Sequence, residues 1–178
     1  MRNFNEIDSI QELKVLVGFF DLTNFARYTG WGATEMMTFL SDYYEFTGDI
    51  IEEAGGTVVK FMGDAALIVF PETHVNEGIV ALRKLQTQGD AWLAERGINS
   101  RNKVTAHFGE VACGPVGTRQ HKSFDVFGVT VNTAARLNSN GFAMTAQVFR
   151  QLDAETRKLF KKHTPPITYI PVEERHRD

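Results

Sequence analysis

Two aspartates stand where apolar strands do not ordinarily hold a charge. Val15-Leu16-Val17-Gly18-Phe19-Phe20 runs into Asp21, and Asp64 separates Lys60-Phe61-Met62-Gly63 from Ala65-Ala66-Leu67-Ile68-Val69-Phe70. An ionised carboxylate in such surroundings is costly to desolvate unless something neutralises it. Two of them on neighbouring strand ends repel, and a divalent cation between them is the usual remedy. Oxygen ligands of this kind, completed by water and phosphate, suit magnesium better than zinc. Either aspartate alone can be a turn or cap residue, and Asp64, after glycine in a tight hairpin, reads equally well as one. The pair, in these flanks, points to a phosphate-handling metal enzyme.

Order along the chain supplies a fold. Lys14–Phe20 reads as a buried strand, and Thr23 or Asp21 as the cap of a short helical stretch. From Ala33 to Ala54 the apolar positions recur at helical spacing through Met36, Phe39, Leu40, Tyr43, Phe46, Ile50 and Ile51. Gly55-Gly56 ends that helix. Thr57–Phe61 and Ala65–Phe70 form a hairpin around Met62-Gly63-Asp64. Val75–Arg96 carries a second helical stripe, closed by Gly97. Lys103–Phe108 and Val111–Val116 read as a second hairpin turning at Gly109-Glu110, followed by a loop over residues 117–123. Thr130–Leu137 reads as a short helix, Ala146–Phe160 as a longer one, and Ile167–Val172 as a last strand. Gly18, in mid-strand, marks close packing or a bulge. The pattern is α+β, a ferredoxin-like βαββαβ arrangement with helices on one face of a mainly antiparallel sheet. One domain is expected over residues 1–178, with its core at about 14–170.

Composition narrows the partners. A net charge of −3 argues against a nucleic-acid surface, and the single cysteine, Cys113, excludes an intrachain disulfide and fits a reducing compartment. No apolar run reaches membrane-spanning length, and the N-terminus lacks a signal-peptide layout. A soluble, cytoplasmic chain is the expectation.

Three segments then carry a resemblance. Phe19-Phe20-Asp21-Leu22-Thr23-Asn24-Phe25, Lys60-Phe61-Met62-Gly63-Asp64 and the run from Phe124 to Leu137 (FDVFGVTVNTAARL) resemble, in that order, the motifs of the class III nucleotidyl cyclase catalytic domain. The resemblance implies cyclisation of a nucleoside triphosphate on the cyclase homology fold. It implies Asp21 and Asp64 as holders of two Mg²⁺ or Mn²⁺ ions per site. Lys60 and Asp125 fall at the purine-reading positions, where lysine and aspartate look like the adenylate-cyclase pair and guanylate cyclases typically carry glutamate and cysteine. A lysine donates to adenine N1 and a carboxylate accepts from the exocyclic amine, whereas guanine presents the opposite pattern.

The resemblance also implies that Asn132 positions the ribose and that Arg136, four residues on and on the same helical face, stabilises the phosphates. Arg119 matches an arginine that touches the pyrophosphate. Lys161 is the best match for a lysine that meets the terminal phosphates, although a basic helix end accounts for it equally well. Two departures stand out: Asn24 replaces a glycine, and the segment before Tyr169 lacks the family's glycines.

The implied reaction is conversion of ATP to 3′,5′-cyclic AMP and pyrophosphate by two-metal catalysis, at sites shared across a head-to-tail homodimer. These residues name no regulatory domain or partner. The competing readings are a guanylate cyclase on the same fold and a catalytically weak nucleotide-binding or dimerisation module. A diguanylate cyclase is disfavoured, because Gly55-Gly56 leads into Thr57-Val58 instead of an acidic pair.

Overall fold

The computed structural model describes residues 4–28 and 30–175. Strands β1 (Gln11–Leu22), β2 (Thr57–Met62), β3 (Ala65–Pro71) and β4 (Asn102–Gly117) enclose helices α1 (Ala33–Glu53) and α2 (Val75–Glu95) in the order β1-α1-β2-β3-α2-β4. The chain continues through β5 (Lys122–Phe127), α3 (Val129–Arg136), β6 (Phe142–Thr145), α4 (Ala146–Gln151), α5 (Ala154–Arg157), β7 (Phe160–His163) and β8 (Thr168–Pro171). The sheet order is β2-β3-β1-β4-β6-β8-β7, with β5 paired to β4. The first four strands thus have the ferredoxin-like arrangement expected. All pairings are antiparallel except β4 with β6.

Side-chain alternation along β1 separates two cores. Leu16, Phe20 and Leu22 join the cluster under α1 and α2, with Phe39, Tyr43, Ile51, Ile79, Leu82 and Leu85. Val15 and Val17 point the other way, toward Leu67, Val69, Val126 and Ala134. The expectation of helices on one face holds for α1 and α2 but not for α3, which supplies Ala134 to the second face. Asp21 falls in the alternation with Val15, Val17 and Phe19, so its carboxylate opens on that second face. Gly18 reflects packing: a Cβ there would lie 2.9 Å from Leu82 Cδ1.

Three local expectations are corrected, and one strand is added. Gly109-Glu110 is not a turn, because β4 runs unbroken against β1 from Gln11↔Cys113 to Leu22↔Asn102. The glycine is there for α3: a Cβ at Gly109 would meet Thr130 Oγ1 at 2.6 Å, and that hydroxyl donates to the Glu110 carbonyl at 2.6 Å. The helix expected over residues 146–160 is instead α4, α5 and β7. Leu152 is extended, and the Asp153 carboxylate starts α5 by accepting from Thr156 N at 2.7 Å. The short strand β6, too brief to read from pattern, adds Phe142–Thr145 to the sheet. Finally, Thr23 caps nothing: its backbone N–H donates to Arg101 O, its Oγ1 accepts from Arg101 N and its carbonyl accepts from Ser100 Oγ.

Candidate active site

The β2–β3 hairpin brings the two aspartates together. Met62 pairs with Ala65, so Gly63-Asp64 is a two-residue loop, and Gly63, at φ 66°, takes the first position as a II′-type turn demands. Asp21 on β1 lies opposite Ala65, the residue after Asp64. The Asp21 pKa is raised, first by burial of the carboxylate and then by the charge of Asp64, while Lys103 and the Leu22 N–H oppose the shift. Part of that shift comes from a second carboxylate close by. A cavity of about 230 Å³ beside them is lined by Phe19, Phe20, Asp21, Ala65, Lys103, Thr105 and Ala135.

The donor set fits a hard divalent cation, with two carboxylates in a mutually repulsive pair that such an ion would relieve. Among the described residues no cluster of three or more His, Cys, Asp and Glu side chains forms a metal site. Two protein carboxylates with phosphate oxygens and water suit Mg²⁺ or Mn²⁺ better than a self-sufficient metal cage would.

Lys103 is the residue that sequence reading missed. It stands directly opposite Asp21 on β4 and lines the same cavity. Pairing the end of the first apolar run antiparallel with the start of the Val104-Thr105-Ala106 run would have found it.

Lys60 reaches Asp125 through a bulge. The β2–β3 register slips between Val58 and Lys60, so Lys60 faces Leu67 instead of Ala66. One inserted residue turns the lysine from the helix-covered face to the second face. There β5 folds over the sheet, packing Val126 with Val15, Val17, Leu67 and Val69, and Phe124 against Phe4 at 5.5 Å between ring centroids. Lys60 Nζ donates to Asp125 Oδ2 at 2.7 Å, and Asp125 Oδ1 accepts from Val126 N at 2.8 Å. The lysine and aspartate singled out from sequence are thus neighbours in space, from segments 65 residues apart.

The remaining candidates fall around these two centres or away from them. Asn132 and Arg136 are both exposed on α3, whose Ala135 lines the cavity beside Asp21. Arg119 is exposed in the turn joining β4 to β5. Asn24 adopts φ 58°, the left-handed conformation a glycine would take, so the turn after Asp21 keeps its backbone path. Lys161 stands apart. It lies on β7, at the edge of the sheet beyond β4, β6 and β8, and its Nζ donates to Val172 O at 2.7 Å.

The fold is that of a nucleotidyl cyclase domain, and comparison with known proteins agrees. Residues 7–164 match the family model of the adenylate and guanylate cyclase catalytic domain. The chain belongs to that family. It is 27% identical over 166 residues to adenylate cyclase 2 of Rhizobium meliloti (strain 1021), covering 89% of this chain and 44% of that protein. It is 30% identical over 122 residues to guanylate cyclase 32E of Drosophila melanogaster, covering 64% of this chain and 10% of the relative. The chain therefore spans less than half the length of these curated relatives. Among solved structures, a bacterial light-regulated adenylyl cyclase superposes with a TM-score of 0.78 at 21% identity, over 93% of this chain and 53% of that one. Among the described residues no helix is long and apolar enough to cross a membrane.

Proposed function

We propose that this chain is an adenylate cyclase, converting ATP to 3′,5′-cyclic AMP and pyrophosphate. The observation that carries the choice of base is the Lys60–Asp125 pair, a donor and an acceptor 2.7 Å apart. Adenine offers a ring nitrogen acceptor beside an amino donor, which matches an ammonium beside a carboxylate. Guanine offers a ring N–H beside a carbonyl and would leave both protein groups facing the wrong partner. Relatives of both names match the chain, and the lysine–aspartate pair is the feature that supports ATP over GTP.

Asp21 and Asp64 would hold two divalent ions, Mg²⁺ or Mn²⁺, which supply Lewis-acid activation of the ribose 3′-hydroxyl and neutralise phosphate charge. Lys103 adds a cation at the same cavity for the phosphate chain. Asn132 orients the ribose, and Arg136 and Arg119 stabilise phosphate charge as the transition state forms. The bond from the 3′-oxygen to the α-phosphorus forms as the bond to pyrophosphate breaks, and the 3′ proton leaves to water. Positioning and charge do most of this work.

The site is read as shared between two chains arranged head to tail, one giving Asp21, Asp64 and Lys103, the other Lys60, Asp125, Asn132 and Arg136. Val116, Phe127 and Val129, exposed by 40, 51 and 80%, lie on β4, on β5 and at the start of α3. Phe127 sits 5.8 Å from Lys60 Nζ, so these apolar groups flank the base-reading pair and are fit for burial against a second copy. Lys161, remote from its own Asp21, is placed in the site only as the partner's contribution.

The test is purified chain with Mn²⁺ or Mg²⁺ and either ATP or GTP. Cyclic AMP from ATP, with GTP turned over at least about tenfold less well, is the expected outcome. Lys60→Glu combined with Asp125→Cys should reverse the preference. Wild-type preference for GTP would refute the base assignment.

A further inference from the structure

Asp64 occupies half of a two-residue loop, and a side chain from α1 holds that loop. Tyr44 Oη donates to the Gly63 carbonyl at 2.6 Å. Its ring stacks on Phe61, with centroids 3.8 Å apart and planes 9° from parallel. The two contacts bracket Met62, the last residue before the turn. Phe61 faces the helix side of β2, so Tyr44 grips the hairpin from the face opposite Lys60.

The consequence follows from peptide planarity. The Gly63 carbonyl and the Asp64 N–H belong to one rigid unit, so fixing the carbonyl fixes the direction in which the chain enters Asp64. Without a side-chain bond, a two-residue loop with glycine first has one peptide free to rock, and a carboxylate carried on it moves too. A tyrosine hydroxyl is protonated at neutral pH and so remains a donor to that carbonyl. The helix delivering it is itself anchored next door. Tyr43 is fully buried, hydrogen-bonded to Asn102 beside Lys103, and packed edge-on to Phe20 beside Asp21 at 5.9 Å. Consecutive tyrosines of α1 therefore reach the segments that carry Asp21, Asp64 and Lys103.

We infer that Tyr44 is a positioning residue of the cation site, holding the β2–β3 turn so that the Asp64 carboxylate stands beside Asp21 to take the cations. This rests on the reading of Asp21 and Asp64 as the metal pair.

Tyr44→Phe keeps the stack and removes only the donor. Mn²⁺ alone is titrated into the full chain, with the free ion followed by its EPR signal, and the Mn²⁺ dependence of ATP cyclisation is measured alongside. The loss of one hydrogen bond to a turn predicts apparent Mn²⁺ affinity weakened about three- to tenfold in both measurements. The rate at saturating Mn²⁺ and the melting temperature should stay close to wild type. Tyr44→Ala, which also removes the stack, should weaken Mn²⁺ further and lower the melting temperature.

Tyr44→Phe binding and using Mn²⁺ like wild type would overturn the inference, as would a fall in melting temperature with an unchanged Mn²⁺ curve. Asp64→Ala separates the two levels. If it still binds Mn²⁺ normally, the metal reading fails and takes the inference with it. If it loses Mn²⁺ while Tyr44→Phe does not, only the positioning role falls.

Discussion

Replacing Asp21 with asparagine should stabilise the metal-free protein while abolishing its activity. The Asp21 carboxylate is disfavoured in its charged form, first by burial and then by Asp64, and the opposing contributions of Lys103 and the Leu22 N–H do not cancel the effect. Asparagine keeps the shape and removes the charge. The Asp21 side chain is only partly covered and still meets solvent, so the interaction is screened and belongs with surface pairs, at roughly 0.2–1 kcal/mol. For a chain of this size 1 kcal/mol moves the melting temperature by about 2–4 °C, so Asp21→Asn should melt about 0.4–4 °C above wild type in EDTA. Mn²⁺ at ten times its dissociation constant adds about 1.4 kcal/mol to a protein that binds it only when folded. Wild type should then overtake the variant.

The pH dependence has a definite sign. A carboxylate whose folded pKa is raised contributes stability below its unfolded value, near 3.9, and loses that contribution as pH rises through the folded value. The gap between Asp21→Asn and wild type should therefore be small in acid and open toward neutrality. It should shrink in about 1 M salt, where charges are screened within about 3 Å. Differential scanning fluorimetry with and without Mn²⁺, across pH, reads all three effects. An Asp21→Asn protein clearly less stable than wild type in EDTA at neutral pH would refute the reasoning, since Asp21 would then be a structural turn residue and not an uncompensated ligand.

Two further outcomes test the shared site and its scaffold. Asp64→Ala and Arg136→Ala chains should each be inactive alone, and mixing them should restore activity, because one of the two sites in the heterodimer keeps every group. Heterodimers that demonstrably form and stay inactive would sink the head-to-tail arrangement. Gly109→Ala would set a Cβ 2.6 Å from Thr130 Oγ1, whose hydroxyl is committed to Glu110 O, so α3 must shift. A cost of about 1–3 kcal/mol in urea unfolding is expected, as for other overpacked sites, with activity falling more than stability accounts for. Unchanged turnover would mean that the seating of α3 on β4 does not govern where Asn132 and Arg136 lie.

What the sequence made legible depended on whether the signal was local. The long amphipathic stripes became α1 and α2, and the Met62-Gly63-Asp64 turn became a hairpin, because each is specified by residues within a few positions. Gly109 misled for a physical reason: glycine beside an acidic residue reads as a turn, yet its missing Cβ serves a helix reached some twenty residues later. The span from Ala146 to Phe160 misled because apolar spacing alone hides an N-cap, and Asp153 restarts the chain in mid-run. Lys103 and the Val58–Lys60 bulge were harder to read for a related reason. Their meaning lies in which residue of another strand stands opposite, and strand register is set by the whole sheet.

That register also bears on why such a chain should need a second copy. One face of the sheet carries both the aspartate pair and the lysine–aspartate pair, but on different features. Asp21 and Asp64 sit at a strand end and a hairpin tip, whereas Lys60 and Asp125 join β2 to β5 side chain to side chain. If Lys60 and Asp125 read the base as proposed, it must approach β5, beside the exposed Phe127, whereas its phosphates must approach the cations that Asp21 and Asp64 would hold. The left-handed turn at Asn24 stands beside that second centre, clamped through Thr23 to Ser100 and Arg101. In the proposed arrangement a second chain, turned by the two-fold axis, lays its base-reading pair across from the first chain's aspartates, and the same operation completes a second site. A monomer would then hold both half-sites and bring neither to its complement, so dilution below the dimerisation constant should extinguish turnover while leaving the fold, and Mn²⁺ binding at Asp21 and Asp64, in place.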